Sequence, residues 1–210
     1  MSALDRIAHF QSRRDELPNQ ELARDLASSK DRAGIREIAE NLWNQDKGIQ
    51  ADCIKVLYEI GYIQPALIAD HAEDFIKLLK SRNNRLVWGG MIALGTVADL
   101  KPDVIFAHLS EIQKAINTGS VITVDNGVRT LALAASQGGK YNKAIFPYLI
   151  DHLKTCRPKD VPQHAEKTLQ AVVNSSNMKE FTTVLEKRME DLTGSGLARV
   201  KKVIKHAANH

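Results

Sequence analysis

Apolar residues recur along this chain at three- and four-residue intervals, and no stretch alternates as a half-buried strand would. The pattern predicts an all-α protein. Its clearest stripe joins Ile35, Ile38, Ala39, Leu42 and Trp43 on one helix face, with Asp31 placed to cap the start and Asp46-Lys47-Gly48 closing the end. One further helix is predicted near 2–14 and another near 196–208. In the latter, Leu197, Val200, Val203, Ile204 and Ala207 form an inner stripe, while Arg199, Lys201, Lys202 and Lys205 stay in water.

The helices repeat. Val56-Leu-Tyr-Glu-Ile-Gly-Tyr-Ile-Gln-Pro65 aligns with Ala93-Leu-Gly-Thr-Val-Ala-Asp-Leu-Lys-Pro102 at an offset of 37, pairing Leu57 with Leu94, Ile60 with Val97, Ile63 with Leu100 and Pro65 with Pro102. Each copy ends one helix, turns, and starts the next with proline at its first position, where a missing N–H costs nothing. The same offset pairs His71 with His108. A looser copy follows at an offset of 40, where Ile145, Phe146 and Leu149 succeed Ile105, Phe106 and Leu109, and a fourth runs from Ala165 to Met189. The resulting helix pairs fall near 19–46, 49–80, 84–117, 121–156 and 161–190.

A period of 37 to 40 suits an α-solenoid. Asp125-Asn-Gly-Val128-Arg129-Thr-Leu-Ala132 and Phe146-Pro147-Tyr148-Leu149-Ile150-Asp151-His152-Leu153 resemble the two helices of a HEAT unit, so the chain is similar to HEAT-repeat, armadillo-type proteins over about 19–192. The resemblance is sharp in the unit at 121–156; the others lack its Asp and Arg. It implies a right-handed α-α superhelix of about five helix pairs, one repeat domain over 1–210, with Asp125 and Arg129 holding neighbouring repeats together. In such arrays each unit buries its apolar face only against its neighbours. Second helices are expected to line a concave face, with Asp70, Asp74, Lys77, Glu111 and Lys114 at its solvent-facing positions.

Composition removes several classes of function. Aromatic residues are 5% and apolar residues 43% of the chain, enough for a core, and no apolar run reaches the roughly 18 residues of a membrane span. The start lacks a secretory core and the two cysteines, Cys53 and Cys156, make no disulfide framework, so a soluble cytoplasmic protein is expected. The net charge of +4 hides an asymmetry: residues 1–46 carry 7 basic and 9 acidic groups, 47–120 carry 8 of each, and 121–210 carry 14 and 8.

Catalytic motifs are scarce. There is no phosphate-binding glycine loop, GxGxxG, GxSxG or HExxH, and Ser176-Asn-Met-Lys179 matches SxxK without its companion motifs. His152 and Cys156 share a helix face, but two ligands do not make a metal site. His71-Ala-Glu73 and His164-Ala-Glu166 resemble the His-Glu pairs of HEAT-type di-iron hydroxylases, except that the inserted alanine turns the glutamate to another face. Neither a metal nor a cofactor is therefore expected. Trp88-Gly89-Gly90, beside Arg82 and Arg85, puts glycine inside a helix at about 1 kcal/mol each, offset either by close helix packing or by a ligand near Arg85 and Trp88.

Three readings of function follow. The first is a non-enzymatic interaction module that holds a protein or peptide on the concave face, with Arg85, Trp88, Asp70, Asp74, Lys77, Glu111 and Lys114 as binding candidates. The second is nucleic-acid binding through the basic C-terminal half, as in HEAT-like DNA glycosylases, although their tryptophan-rich pocket and catalytic aspartate have no match here. The third is an enzyme whose site is assembled across repeats.

Overall fold

In the computed structural model, which describes residues 2–13 and 15–208, helix starts are set by local side-chain chemistry. Asp31 Oδ1 accepts from Gly34 N at 2.9 Å, Asp46 Oδ1 from Gly48 N at 2.6 Å, Asn83 Oδ1 from Arg85 N at 3.0 Å, and Asn174 Oδ1 from Asn177 N at 2.9 Å. Each satisfies an amide the helix itself leaves without a partner. Pro65 and Pro102 open the next turns, as their matched positions in the repeat predict.

The described residues form twelve α-helices and no strand. Two rows stand side by side. The first row holds α1 (Leu17–Ser29), α3 (Lys47–Ile63), α5 (Asn84–Val97), α8 (Val121–Ala135), α10 (Val161–Thr168) and α12 (Gly194–Ala207). The second holds α2 (Arg32–Glu40), α4 (Ala72–Leu78), α7 (Leu109–Thr118), α9 (Gly139–Thr155) and α11 (Ser175–Arg188), with the short α6 (Pro102–Ala107) leading into α7. One apolar core runs between the rows from Ala3 to Ala207, with Phe75, Phe181, Leu22, Ile54 and Leu57 fully enclosed. No described helix is long and apolar enough to cross a membrane.

Two details depart from the sequence pattern. The segment near 2–14 makes a single 3-10 turn, Leu4–Arg6, and then irregular turns instead of a helix, with Arg14 outside the described residues. It is held by side chains: Asn19 Oδ1 accepts from Ala8 N at 2.9 Å, and Asp52 accepts from His9 N at 2.8 Å and from Asn19 Nδ2 at 2.9 Å. Trp43, predicted to continue the α2 stripe, is 51% exposed, because α2 ends at Glu40 and a 3-10 turn, Asn41–Trp43, rotates the indole outward.

The rows are not spaced alike. Close backbone approach links α1 to α3, α3 to α5, α5 to α8, α8 to α10 and α10 to α12, whereas in the second row only α9 and α11 approach comparably. Glycines make this possible. A Cβ on Gly61 of α3 would strike Thr96 of α5, and one on Gly89 of α5 would meet Ile54 Cγ1 of α3 at 2.8 Å. Where two rows are joined pair by pair, the more closely spaced row lies on the inside of the curve. The first helices therefore line the concave side, where the sequence reading put the second helices.

Candidate functional site

The five candidates on the second row are engaged with one another and with neighbouring units. His71 Nδ1 lies 3.6 Å from Asp74 Oδ2, and Lys77 Nζ is 2.9 Å from Asp74 Oδ1. One repeat later, His108 Nδ1 lies 3.4 Å from Glu111 Oε1, while its Nε2 reaches back to Glu73 at 3.0 Å. Glu111 also faces Lys80 at 3.6 Å, and its carboxyl is lowered to about 2 by the Ser110 hydroxyl, its own backbone amide and His108. Asp70 receives Lys101 at 2.9 Å, and Asp103 receives Tyr141 Oη at 2.6 Å and Lys140 at 3.6 Å. Of the five, Lys114 alone has no side-chain hydrogen bond or ion pair among the described residues, though its carbonyl accepts from Thr118 Oγ1 at 2.9 Å; with Glu111 it lines a 330 Å³ groove between α4 and α7. Asp70 and Glu111, with Glu73, staple repeat to repeat, while Asp74 and Lys77 pair within their own helix.

Arg85 and Trp88 lie on the inner row. Arg85 Nη2 is 3.6 Å from Glu16 Oε1, and the same glutamate takes Lys55 Nζ at 2.7 Å. Lys55 is buried and also meets Glu59 at 2.7 Å and the Tyr58 ring at 4.9 Å. Burial pulls its ammonium pKa down, but the hydrogen bonds to Glu16 and Glu59 outweigh it and hold the charge above the usual lysine range. Trp88 is half-buried against Tyr58, their rings 6.3 Å apart, and Gly89 and Gly90 let α5 press on Ile54 and Leu78. The two glycines are thus accounted for by helix packing.

Further along the same face is a 250 Å³ pocket between α3, α5 and α8, lined by Gly61, Tyr62, Gly95, Asp99, Arg129 and Leu133 among others. Arg129 is half-buried, and no described carboxylate lies within ion-pair distance of it or described cation within that distance of Asp99. A Cβ on Gly95 would stand 3.2 Å from Thr130 Oγ1 and in ordinary contact, 3.7 Å, with Arg129 Nη1. Tyr62, 55% exposed, forms the rim, and burial raises its hydroxyl pKa while the Arg129 charge opposes the rise. Of the two residues that the HEAT resemblance implied hold neighbouring repeats together, Arg129 has no ion pair with a described residue. Asp125 instead binds α10: Gln163 Nε2 and His164 Nε2 both reach its carboxylate at 2.8 Å, and Lys167 Nζ reaches its backbone carbonyl at 2.8 Å. Sequence spacing missed Tyr62 and Asp99; their signal was the glycine pair Gly61 and Gly95 on facing helices.

Beside this face, at the turn from α9 to α10, the structure adds a third residue to His152 and Cys156. His164, 1% exposed, brings its Nδ1 to 3.0 Å from His152 Nε2. Glu166 points away and pairs with Arg199 Nε at 2.8 Å, so the His-Ala-Glu spacing builds no joint ligand set. Ser176 is exposed on α11.

No family model and no curated protein matches the chain in sequence. Solved structures do match in shape. An engineered protein has a TM-score of 0.71 at 18% identity, covering 100% of this chain and 98% of its own. A computationally designed armadillo repeat protein for modular peptide recognition has a TM-score of 0.68 at 13% identity, covering 92% of this chain and 94% of its own. The fold is that of an armadillo-type α-solenoid, a right-handed α-α superhelix. A second engineered protein, with a TM-score of 0.66 at 17% identity and complete coverage of both chains, shares it. In this solenoid the three-helix unit α6, α7, α8 puts the short helix first and the inner helix last.

Proposed function

We propose that this solenoid is an interaction module that holds an extended polypeptide along its first-helix face, and that Arg129 receives a carboxylate of that partner. The supporting observation is the Arg129 pocket: a half-buried guanidinium without an ion-pair partner among the described residues, set beside an exposed tyrosine over a glycine-lined floor. A half-buried guanidinium without a counter-ion is costly, and a bidentate carboxylate is its best-fitting partner. Asp99 on the same wall suits a backbone or side-chain donor of the same chain. Arg85 and Trp88 extend this surface toward α1. Asp70 and Glu111 tie neighbouring units of the outer row together. The designed armadillo neighbour made for peptide recognition supports the choice of partner class. A cytoplasmic location goes with this reading, since Cys53 and Cys156 are both free thiols.

The nucleic-acid reading loses ground to local pairing. Five of the 14 basic groups in residues 121–210 are held in ion pairs: Lys140 with Asp103, Lys154 with Asp151, Arg157 with Asp160, Arg188 with Asp191, and Arg199 with Glu166. The test is fluorescence anisotropy with a panel of labelled peptides, acidic, neutral and basic, beside a labelled duplex. Saturable binding of acidic peptides, weakened about 10- to 100-fold by Arg129→Ala, is the expected result, as for loss of a charge-assisted hydrogen bond. Preference for the duplex, lost in a Lys201/Lys202/Lys205→Glu variant, would overturn it.

A further inference from the structure

The geometry points to a zinc site at the junction of α9 and α10, with His152 Nε2, Cys156 Sγ and His164 Nδ1 as its protein ligands. The three ligand atoms lie within 4.8 Å of one another. In a tetrahedral zinc site, nitrogens about 2.05 Å from the metal stand about 3.3 Å apart, and a nitrogen and a thiolate about 3.6 Å apart. The 3.0 Å separation of His152 Nε2 and His164 Nδ1 needs only a small opening to reach that geometry.

The surroundings are those of a ligand set. His164 Nε2 meets Asp125 Oδ1 at 2.8 Å, and a carboxylate can only accept, so Nε2 carries the proton and Nδ1 presents its lone pair toward His152. A ligand histidine whose second nitrogen donates to a carboxylate has a fixed ring and a more basic donor atom. Gln163 Nε2 holds the other oxygen of Asp125 at 2.8 Å, which fixes the carboxylate in turn. His152 is oriented by stacking on Tyr148, whose hydroxyl donates to Asn117 Oδ1 at 2.8 Å.

Metal entry is balanced by protons. In the metal-free chain His152 Nε2–H donates to His164 Nδ1; on binding, that proton moves through solvent to His152 Nδ1, and the Cys156 thiol releases one proton to water. The fourth coordination position faces a 360 Å³ pocket lined in part by Asn117, Thr155, Arg157 and Asp160. Two imidazoles and a thiolate select a borderline-soft cation over magnesium or calcium. Three protein ligands with one open position leave room for water or an exogenous anion.

The test uses the tag-free full chain, stripped with chelator and titrated with Co²⁺ and then Zn²⁺. Saturation at one equivalent, tetrahedral visible bands and a sulfur-to-cobalt charge-transfer band are expected, with zinc displacing cobalt. Cys156→Ala removes the charge-transfer band. His152→Ala and Asp125→Asn each weaken binding by about 10- to 100-fold, and His71→Ala on the outer row leaves it unchanged. His152 and Cys156 are only half-buried, and circular dichroism in chelator verifies that both variants fold. Absence of stoichiometric binding at micromolar metal, a charge-transfer band that survives Cys156→Ala, or wild-type affinity in His152→Ala would overturn the site.

Discussion

The inner and outer rows of this solenoid are held by different physics. Inside, glycines and small side chains bring backbones together and dispersion between closely fitted surfaces adds to pairs such as Glu16–Lys55 and Asp125–His164. Outside, units meet through ion pairs such as Asp70–Lys101, Glu73–His108 and Asp103–Lys140, with the 330 Å³ groove between α4 and α7. A repeat protein can thus fix its curvature on one side and leave the other tolerant of change.

The sharpest way to break the comparison is to overfill the inner row. In Gly61→Ala the new methyl would press on Thr96, whose Cβ would be 2.9 Å away and whose hydroxyl is already held by Ala93 O at 2.7 Å. Chemical denaturation should show a loss of about 3 kcal/mol, whereas Gly139→Ala, with open space around it, should stay within about 0.5 kcal/mol of the parent. Arg188 comes next. Its guanidinium donates to Leu153 O at 2.5 Å and Cys156 O at 2.8 Å, closing the C-terminal end of α9 from α11, and Arg188→Ala should cost about 2 kcal/mol in the same measurement. The outer staples are the smallest of the three: Lys101→Ala should change stability by less than about 1 kcal/mol, an effect that fades in high salt. A large loss from Lys101→Ala, or none from Gly61→Ala, would reverse the assignment of roles.

Acid should act mainly at the inner junction of α9 and α10. His152 has its folded pKa depressed to about 4 from the ordinary 6.5, so the unfolded chain binds more protons between those values. Stability of the metal-free protein is full above pH 6.5 in this respect and falls as pH drops toward 4. Thermal melts across that range should show a shallower decline in His152→Gln. Thiol chemistry gives the mildest test. Cys53 is enclosed in α3 and burial raises its pKa to about 12, so a thiol reagent should label Cys156 first and Cys53 only on unfolding.

The helices, their repeat and the armadillo-type class were legible because 3.6-residue periodicity and turn chemistry are local. The inside of the curve was not legible from apolar stripes, since both rows bury one. It depends on distances between helices, and those follow from where glycine sits: Gly61, Gly89 and Gly95 face neighbouring first-row helices, while the second row has Gly34 in the first turn of α2 and Gly139 at the start of α9. The paired His152 and Cys156 were legible as a helix face. His164 was not, because the turn through Pro158–Asp160 that brings it back has no spacing rule. Asp70 and Glu111 looked free because a charged residue's partner one repeat away, Lys101 or Lys80, is invisible to a helical pattern, whereas the Asp74–Lys77 pair lies at i,i+3 on one helix.

The two ends of the array are finished differently. At the N-terminus a segment without α-helix is tied by Asn19 and Asp52 into α1 and α3, while at the C-terminus α12 rests on Val200, Val203 and Ala207 with one exposed Arg199–Glu166 pair to α10. A stack held by neighbour contacts opens from its weaker end. Amide exchange should therefore be fastest in α12, slower in α10 and α11, and slowest around α3 and α5, so that the molecule unzips in one direction and its N-terminal units act as the template on which the rest closes again.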